Sequence, residues 1–287
     1  MLFRSAEVAA QLACSARRFP SELGLALVSP LLQRDVAVQD PLVPWLLWWG
    51  LVEHSVSGRE TVLELFAGIG GWSSAHLKAN QPRLMRRYAA EGAAAGYDAC
   101  VRLYRGAPAS ERENQLKSLL QGLTERSRVL GPATTAGMFD QLASASAPPT
   151  APVERQALEP VSVELQMLLS SLLRDQPDDA LRLRLGLEAG LPEARERLRA
   201  GVNVAGNPAV LKSRLALLAD YPDQALVPAL LGLVQSALPN DIREGALRAL
   251  QPFVNAELGE KLLALDPQVD AALQGRLRGV LLSKPET

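Results

Sequence analysis

Four side chains of the sequence could bind a metal ion or act as a nucleophile or a base: Cys14, His54, His76 and Cys100. Neither cysteine belongs to a Cys-x-x-Cys pair, and two histidines do not complete a zinc ligand set with them. Each cysteine lies in a helical pattern, so we expect both to be small buried apolar residues. His54 follows an apolar helical segment, where a cation interacts favourably with the helix dipole, and no nearby residue suggests a catalytic triad. These four residues predict no catalytic, cofactor-binding or metal-binding site.

The sharpest local motif is the glycine-rich stretch VLELFAGIGGW, residues 62–72. Its centre, from Phe66 to Gly71, resembles the first motif of the DNA cytosine methyltransferases, in which a strand ends in Phe-x-Gly-x-Gly. That resemblance implies contacts from Gly68, Gly70 and Gly71 to S-adenosylmethionine. However, the sequence has no Pro-Cys nucleophile pair, and it lacks the Glu-Asn-Val and Gln-x-Arg-x-Arg motifs of that family. Helical patterns flank the motif, so we interpret it as a glycine loop between helices and keep the methyltransferase as an alternative.

Two groups of arginines could bind an anion. Arg83, Arg86 and Arg87 share one face of a predicted helix, and the arginines within residues 195–199 alternate around another. A solvated helix face explains both groups, and phosphate or an acidic partner is the alternative. Lys and Arg number 30 against 31 Asp and Glu, which gives a net charge of -1. The chain as a whole is therefore not basic, and its net charge does not suggest binding to nucleic acid.

Three of the four tryptophans lie within residues 40–54. Asp40 is a good N-cap, and Pro41 or Pro44 suits the first helical turn. The helix would place Trp45, Trp48, Trp49 and Val52 on one face and Val43, Leu47 and Leu51 on the other. A helix apolar on nearly all sides must be buried on nearly all sides, so we predict the central helix of a stacked array. Its apolar part, residues 42–52, is too short to cross a bilayer, which takes roughly 20 residues.

Helical periodicity recurs over most of the chain. The predicted helices include residues 6–18, 58–66, 97–105, 111–126, 161–174, 178–188, 192–199 and 224–237. A weak internal repeat relates Val210, Leu215 and Leu218 to Ile242, Leu247 and Leu250, each 32 residues later. Periods of this size in a helical chain are typical of stacked helix pairs. We therefore predict an all-α protein, an α-solenoid of HEAT/armadillo-like helix pairs.

The chain divides at a stretch of different composition. Residues 129–160 contain Gly131-Pro132 and a run of Ala, Ser and Pro at 143–152, with only scattered large apolar residues. We predict a linker or extended strap there. It would separate N-terminal helical repeats, residues 1–128, from C-terminal HEAT-like repeats, residues 161–287.

Four sequence runs, at residues 11–20, 31–35, 40–49 and 82–92, together resemble a known family. It comprises the haem-binding, membrane-bound dehydrogenase-like proteins of the Planctomycetes and Verrucomicrobia, here called PVC-type proteins. The resemblance covers their HEAT-like middle region, most clearly between Val8 and Leu123. It implies a β-propeller of the sugar-dehydrogenase type before this region and a c-type cytochrome domain after it. If it holds, the location is periplasmic or otherwise extracytoplasmic, whereas the residues themselves leave the compartment unknown.

The sequence departs from that family in two ways. No Cys-x-x-Cys-His is present, so covalent haem cannot be assigned to any residue and is expected only in a missing C-terminal domain. No propeller precedes Ala6, and Met1 to Ser5 reads like a translated sequencing adapter. We therefore expect a middle fragment or a natural truncation that lacks both redox modules.

Three functions follow as hypotheses. The first is a non-catalytic HEAT-repeat scaffold that binds a protein partner or neighbouring domains of the same polypeptide. The second is an S-adenosylmethionine-dependent enzyme that uses the motif from Phe66 to Gly71, and the third is a stand-alone HEAT-type binding module. We favour the first, with no cofactor in this chain, no nucleic acid partner and no membrane span.

Overall fold

The computed structural model describes residues 5–126, 159–202 and 207–282. These residues hold fifteen α-helices and no strand, so the prediction of an all-helical protein is confirmed. The chain forms two compact units, Met1–Leu169 and Ser170–Thr287. The predicted linker, residues 129–160, lies outside the described residues except for Glu159 and Pro160.

The first unit contains seven helices and the start of an eighth. They are α1 Ala6–Ala16, α2 Ser21–Gln33, α3 Val43–Glu53, α4 Arg59–Phe66, α5 Ala75–Glu91, α6 Ala94–Gly106, α7 Arg112–Arg126 and α8 Val163–Asp175. The boundary between the units falls within α8. Helix α5 is capped at its start by Ser74, whose Oγ accepts a hydrogen bond from the backbone N–H of Leu77 at 3.1 Å. Pro82 lies inside this helix.

Alternate helices of the first unit run side by side in the same direction. Between α1 and α3, His54 contacts the carbonyl of Ala16, 38 residues earlier, and Arg17 pairs with Glu53, 36 residues later. Between α5 and α7, Arg86 binds Glu125 across 39 residues. The core lies between these helices. Its large buried side chains include Leu25, Leu31, Leu47, Leu51, Phe66, Leu77, Leu84, Tyr88 and Tyr97.

The second unit contains the end of α8 and seven further helices. They are α9 Ala180–Glu188, α10 Pro192–Ala200, α11 Pro208–Asp220, α12 Val227–Gln235, α13 Asn240–Leu250, α14 Ala256–Leu265 and α15 Ala271–Leu282. Polar side chains fix three of the helix starts, since Asp179, Asn207 and Asn255 each accept a hydrogen bond from a first-turn N–H. This is the usual role of Asp and Asn at an N-cap.

Alternate helices are also neighbours in the second unit. Lys212 on α11 pairs with Asp241 on α13 at 2.9 Å, and Glu244 on α13 pairs with Arg276 on α15 at 3.4 Å. Most of the apolar residues of the 32-residue repeat are buried. They are Leu215, Leu218, Ile242, Leu247 and Leu250, while Val210 is half-buried. In the part of the chain that the structure describes, no helix is both long enough and apolar enough to cross a membrane.

Candidate functional site

The tryptophan-rich helix α3 exposes much of its aromatic surface, which corrects the prediction that it is buried on nearly all sides. Leu42, just before the helix, is 67% exposed, Trp45 is 50% exposed and Trp49 is 42% exposed. Trp48 is half-buried. The buried side of α3 consists of Val43, Leu47, Gly50 and Leu51. The prediction was wrong because a helix that is apolar all round need not have neighbours all round.

The buried face of α3 fixes the position of its outer face. A side-chain carbon at Gly50 would lie 3.0 Å from Val28 on α2 and 3.1 Å from the carbonyl oxygen of Ala13 on α1. Glycine therefore permits close packing of α3 against both helices. At the other end, Asp40 accepts hydrogen bonds from the N–H groups of Leu42 and Val43 at 2.8 and 2.9 Å. The bonds from Val43 and Leu42 hold the pKa of Asp40 below its usual value.

Arg83 on α5 lies against two of the tryptophans. Its guanidinium carbon is 4.3 Å from the ring centre of Trp45 and 5.8 Å from that of Trp48. Its Nη1 also donates to Oδ1 of Asn80 at 3.1 Å. Partial burial lowers the pKa of Arg83, but an arginine stays charged at neutral pH. The cation–π contacts thus hold a positive charge in a defined place beside the exposed rings.

A groove of about 460 Å³ runs between α1 and α3 on the same side as Trp49. Its lining residues are Cys14, Arg17, Arg18, Leu46, Trp49 and Glu53. Arg17 and Glu53 form an exposed ion pair across it, with a separation of 3.4 Å. We call Leu42, Trp45, Leu46, Trp49 and Arg83 the tryptophan surface. This surface can bury apolar groups and pair with an anion.

The two histidines connect helices and loops. His54 is buried at the C-terminal end of α3, and its Nε2 lies 2.9 Å from the carbonyl oxygen of Ala16, at the end of α1. His76 is buried as well, with Nε2 2.8 Å from the carbonyl oxygen of Val36. The sequence placed His54 correctly at the end of its helix but did not predict the bond of its ring to the neighbouring helix.

The two cysteines differ from each other. Cys100 is buried, its Sγ lies 3.5 Å from the carbonyl oxygen of Met85, and burial raises the pKa of its thiol. Cys14 is exposed and lines the groove, so the prediction that both cysteines are buried was wrong for Cys14. Within the described residues, no group of three or more His, Cys, Asp and Glu side chains could hold a metal ion.

The glycine-rich motif begins inside a helix. Residues 62–66 belong to α4, and a short 3₁₀ helix, Ile69–Trp72, comes directly after the loop. Gln81 on α5 fixes the loop, because its Nε2 donates to the carbonyls of Phe66 at 2.7 Å and Gly71 at 3.1 Å. A side-chain carbon at Gly71 would lie only 2.1 Å from the carbonyl oxygen of Phe66, whereas Gly68 and Gly70 have open space around them. Packing alone thus explains the last glycine of the motif.

The two arginine groups do not form continuous basic patches. Arg83 contacts the tryptophans, whereas Arg86 makes two bonds of 2.7 Å to the carboxylate of Glu125 on α7. In the second group, Arg199 binds Asp223 at 2.6 Å. This hydrogen bond and the charge of Asp223 raise the pKa of Arg199. Of the predicted candidates, the structure brings Arg83 to the tryptophans and places Cys14 in the groove beside Trp49.

Comparisons with known proteins leave the family open. No protein-family model matches the chain, no curated protein matches it, and no solved structure matches it. The resemblance to the PVC-type proteins therefore stays a prediction that rests on the sequence runs alone.

Proposed function

We propose that the chain is a non-catalytic α-solenoid of HEAT/armadillo-like helix pairs that binds a protein partner, or a neighbouring domain of its own polypeptide, through the tryptophan surface. The proposal has two parts, the arrangement of the helices and the use of one exposed face. Different observations support each part.

The spacing of contacts along the chain supports the solenoid. In the first unit, bonds between alternate helices join residues 36 and 38 apart at α1 and α3, and 39 apart at α5 and α7. In the second unit, Arg214 binds Asp178 across 36 residues and Lys212 binds Asp241 across 29. Separations within a limited range, here 29 to 39 residues, are expected when each helix pair packs only on the pair before and the pair after it.

The exposure of Trp45 and Trp49 is the observation that carries the binding function. Two large aromatic rings on one helix, with Leu42 beside them, keep 42 to 67% of their surface in contact with solvent. Exposed apolar patches on soluble proteins commonly mark interaction sites, and Trp and Arg dominate the residues that contribute most to binding energy. Arg83, stacked on Trp45, adds such an arginine.

Comparative affinity capture tests this function. The whole chain and its Trp45→Ala/Trp49→Ala variant are immobilised, and the proteins retained from the source organism are quantified by mass spectrometry. We expect at least one protein to be retained by the wild-type chain and lost from the variant. Leu263→Ala, at an exposed apolar position of α14, is the matched control and should retain the same protein. Equal retention by all three forms would contradict the proposal.

Titration with S-adenosylmethionine tests the non-catalytic part of the proposal. We expect no heat of binding in isothermal calorimetry, because residues 62–66 are helical where the methyltransferase motif needs a strand. A measurable heat that disappears in a Gly68→Val/Gly70→Val variant would favour the enzyme instead. Both glycines have open space around them, so the variant should remain folded.

The resemblance to PVC-type proteins adds a proposal about the partner, namely a redox domain of the same polypeptide. Translation of the source locus beyond both ends of the chain tests it. A downstream Cys-x-x-Cys-His domain and an upstream propeller are expected. An unrelated neighbouring gene on both sides would instead favour a stand-alone binding module.

A further inference from the structure

The charges around the tryptophan surface are unequal. Three guanidinium groups, those of Arg17, Arg18 and Arg83, lie at or beside it. Carboxylates nearby already have partners, since Glu53 binds Arg17 and Asp40 binds the N–H groups at the start of α3. Among the described residues, no carboxylate pairs with Arg18 or Arg83. The surface thus offers two cations that lack a carboxylate partner.

Arg83 is arranged to bind a carboxylate. Its contacts with Trp45 and Trp48 restrict the plane of the guanidinium, and its bond to Asn80 engages one nitrogen. Among the described residues, its other N–H groups have no hydrogen-bond partner. An arginine held in this way keeps a planar donor fork that fits a carboxylate with two parallel hydrogen bonds. Lysine in its place could not reproduce that geometry.

The groove between α1 and α3 supplies the apolar part of the site. Leu46, Trp49 and Cys14 line it, with Arg18 at the same groove. Leu42, Trp45 and Trp49 recur at helical spacing, so they extend over about 10 Å along α3 at a rise of 1.5 Å per residue. This length corresponds to two turns of an opposing helix, whose apolar residues would repeat at the same spacing.

We infer that the tryptophan surface binds an acidic amphipathic helix of a partner protein. Its apolar side chains contact Trp45, Leu46 and Trp49, and its carboxylates pair with Arg83 and Arg18. This inference rests on the proposed binding function and specifies the chemistry of the partner. Both the charge and the exposed aromatic area favour an acidic amphipathic helix as the partner. A neutral or basic helix would leave the two cations without a partner inside the interface.

Selection from a random-peptide library, displayed against the immobilised whole chain, tests the inference. We expect the enriched peptides to combine Asp and Glu with Leu, Phe or Trp at helical spacing. A fluorescent copy of the best peptide is then titrated by anisotropy against purified variants. Trp49→Ala and Arg83→Gln should each weaken binding about tenfold or more, the effect expected of a residue that dominates an interface. Binding should also weaken as salt is added.

Two further variants make the test specific. Arg86→Gln is the control, because Arg86 lies on the same helix but is already bound to Glu125, and it should leave the affinity within about twofold of the wild type. Arg83→Lys keeps the charge and loses the donor fork, so its affinity should fall between those of the wild type and Arg83→Gln. Thermal unfolding checks that each variant is folded.

The outcomes separate the inference from the proposed function. Neutral or basic peptides whose binding depends on Trp49 would overturn the inference and leave the binding function standing. Peptides that bind every variant equally, or a selection without enrichment, would overturn both. Concentration-dependent self-association that Trp45→Ala abolishes, measured by sedimentation, would identify a second copy of the chain as the occupant and would also overturn the inference.

Discussion

Helices α3 and α13 occupy comparable places in their units but present different surfaces. Each packs on the helix two before it, and each uses a buried row of Leu side chains and a glycine at the contact. Outward, α13 presents charged residues such as Asp241 and Arg248. In contrast, α3 presents Trp45 and Trp49. Packing therefore determines the residue types on one face of each helix. It does not determine those on the other face.

This difference indicates where to look for function in a helical chain without a catalytic site. A charged outer face such as that of α13 is the ordinary solution for solubility. The exposed part of a tryptophan adds nothing to packing and increases the tendency to associate. The outer face of α3 is thus better explained by binding than by folding. Substitutions on the buried face should therefore lower stability more than substitutions on the outer face.

The largest effects should come from the buried rows, equally in both helices. Leu47 on α3 and Leu247 on α13 are almost completely inaccessible to solvent. Each change to alanine removes packed methyl groups and leaves a cavity, so Leu47→Ala and Leu247→Ala should each lower the free energy of unfolding by about 2–5 kcal/mol. Chemical denaturation followed by circular dichroism measures this. A loss below about 1 kcal/mol for Leu47→Ala would mean that α3 is not packed as described.

The two glycines should respond differently. In Gly50→Ala the new methyl group meets the backbone carbonyl of Ala13 at 3.1 Å, which cannot move alone, so we expect a loss of about 1–3 kcal/mol. In Gly245→Ala the nearest atoms belong to the side chain of Leu215, at 3.2 Å or more. The higher helix propensity of alanine, about 1 kcal/mol, should offset much of the strain there. Melting temperatures of the two variants measure the difference, and a larger loss for Gly245→Ala would contradict it.

The sequence predicted the helices better than their exposed faces. Periodicity located α4, α7, α9 and α10 within a few residues, because the spacing of apolar residues reflects one buried face. It also located α3, Val43–Glu53, but did not show that one face is exposed, since an all-apolar helix has no periodicity that distinguishes a covered face from an open one. That distinction depends on how many neighbours the helix has, which is a tertiary property.

One missed feature of the candidate site had a signal in the sequence. Cys14 stands at helical spacing from Gln11 and Arg18, and this polar row indicates an exposed side of α1. The contact between Trp45 and Arg83 had none. Their separation of 38 residues, the same as between Ala16 and His54, differs from the 32 residues of the repeat visible in the sequence. The groove itself had no such signal, because it depends on the distance between α1 and α3.

Removal of an outer-face tryptophan should change stability less than removal of a buried one. Trp49 would cost about 3–5 kcal/mol if its ring were fully buried, but it is 42% exposed. We therefore expect Trp49→Ala to lower the free energy of unfolding by only about 1–2 kcal/mol, for the part of the ring that is covered. Arg248→Ala on the outer face of α13 is the control, with a change within about 0.5 kcal/mol. A loss of about 3 kcal/mol or more for Trp49→Ala would mean that its ring is buried. The main argument for a binding surface would then no longer hold.

The smallest expected effect concerns the carboxylates at the starts of the two helices. Backbone N–H groups of Val43 and Leu42 lower the pKa of Asp40, whereas a hydrogen bond from Lys212 is the main cause that lowers the pKa of Asp241. A lowered folded-state pKa stabilises the fold above the unfolded value, about 3.9, and this contribution is lost as the pH falls through the folded value. Asp40→Asn and Asp241→Asn should each flatten the acid side of the stability curve.

The effects of the two substitutions on stability should depend differently on salt concentration. The charge of Lys212 is screened at high ionic strength, so the effect of Asp241→Asn should shrink in about 1 M NaCl. The bonds of Asp40 are short-range contacts with backbone donors, and asparagine is itself a good N-cap. Asp40→Asn should therefore leave most of the stability at pH 7, and its effect at acid pH should depend less on salt. Melting temperatures between pH 2 and pH 7 at two salt concentrations measure both variants. Equal salt sensitivity would mean that Asp40 acts through charge alone and that α3 is not capped by the bonds described.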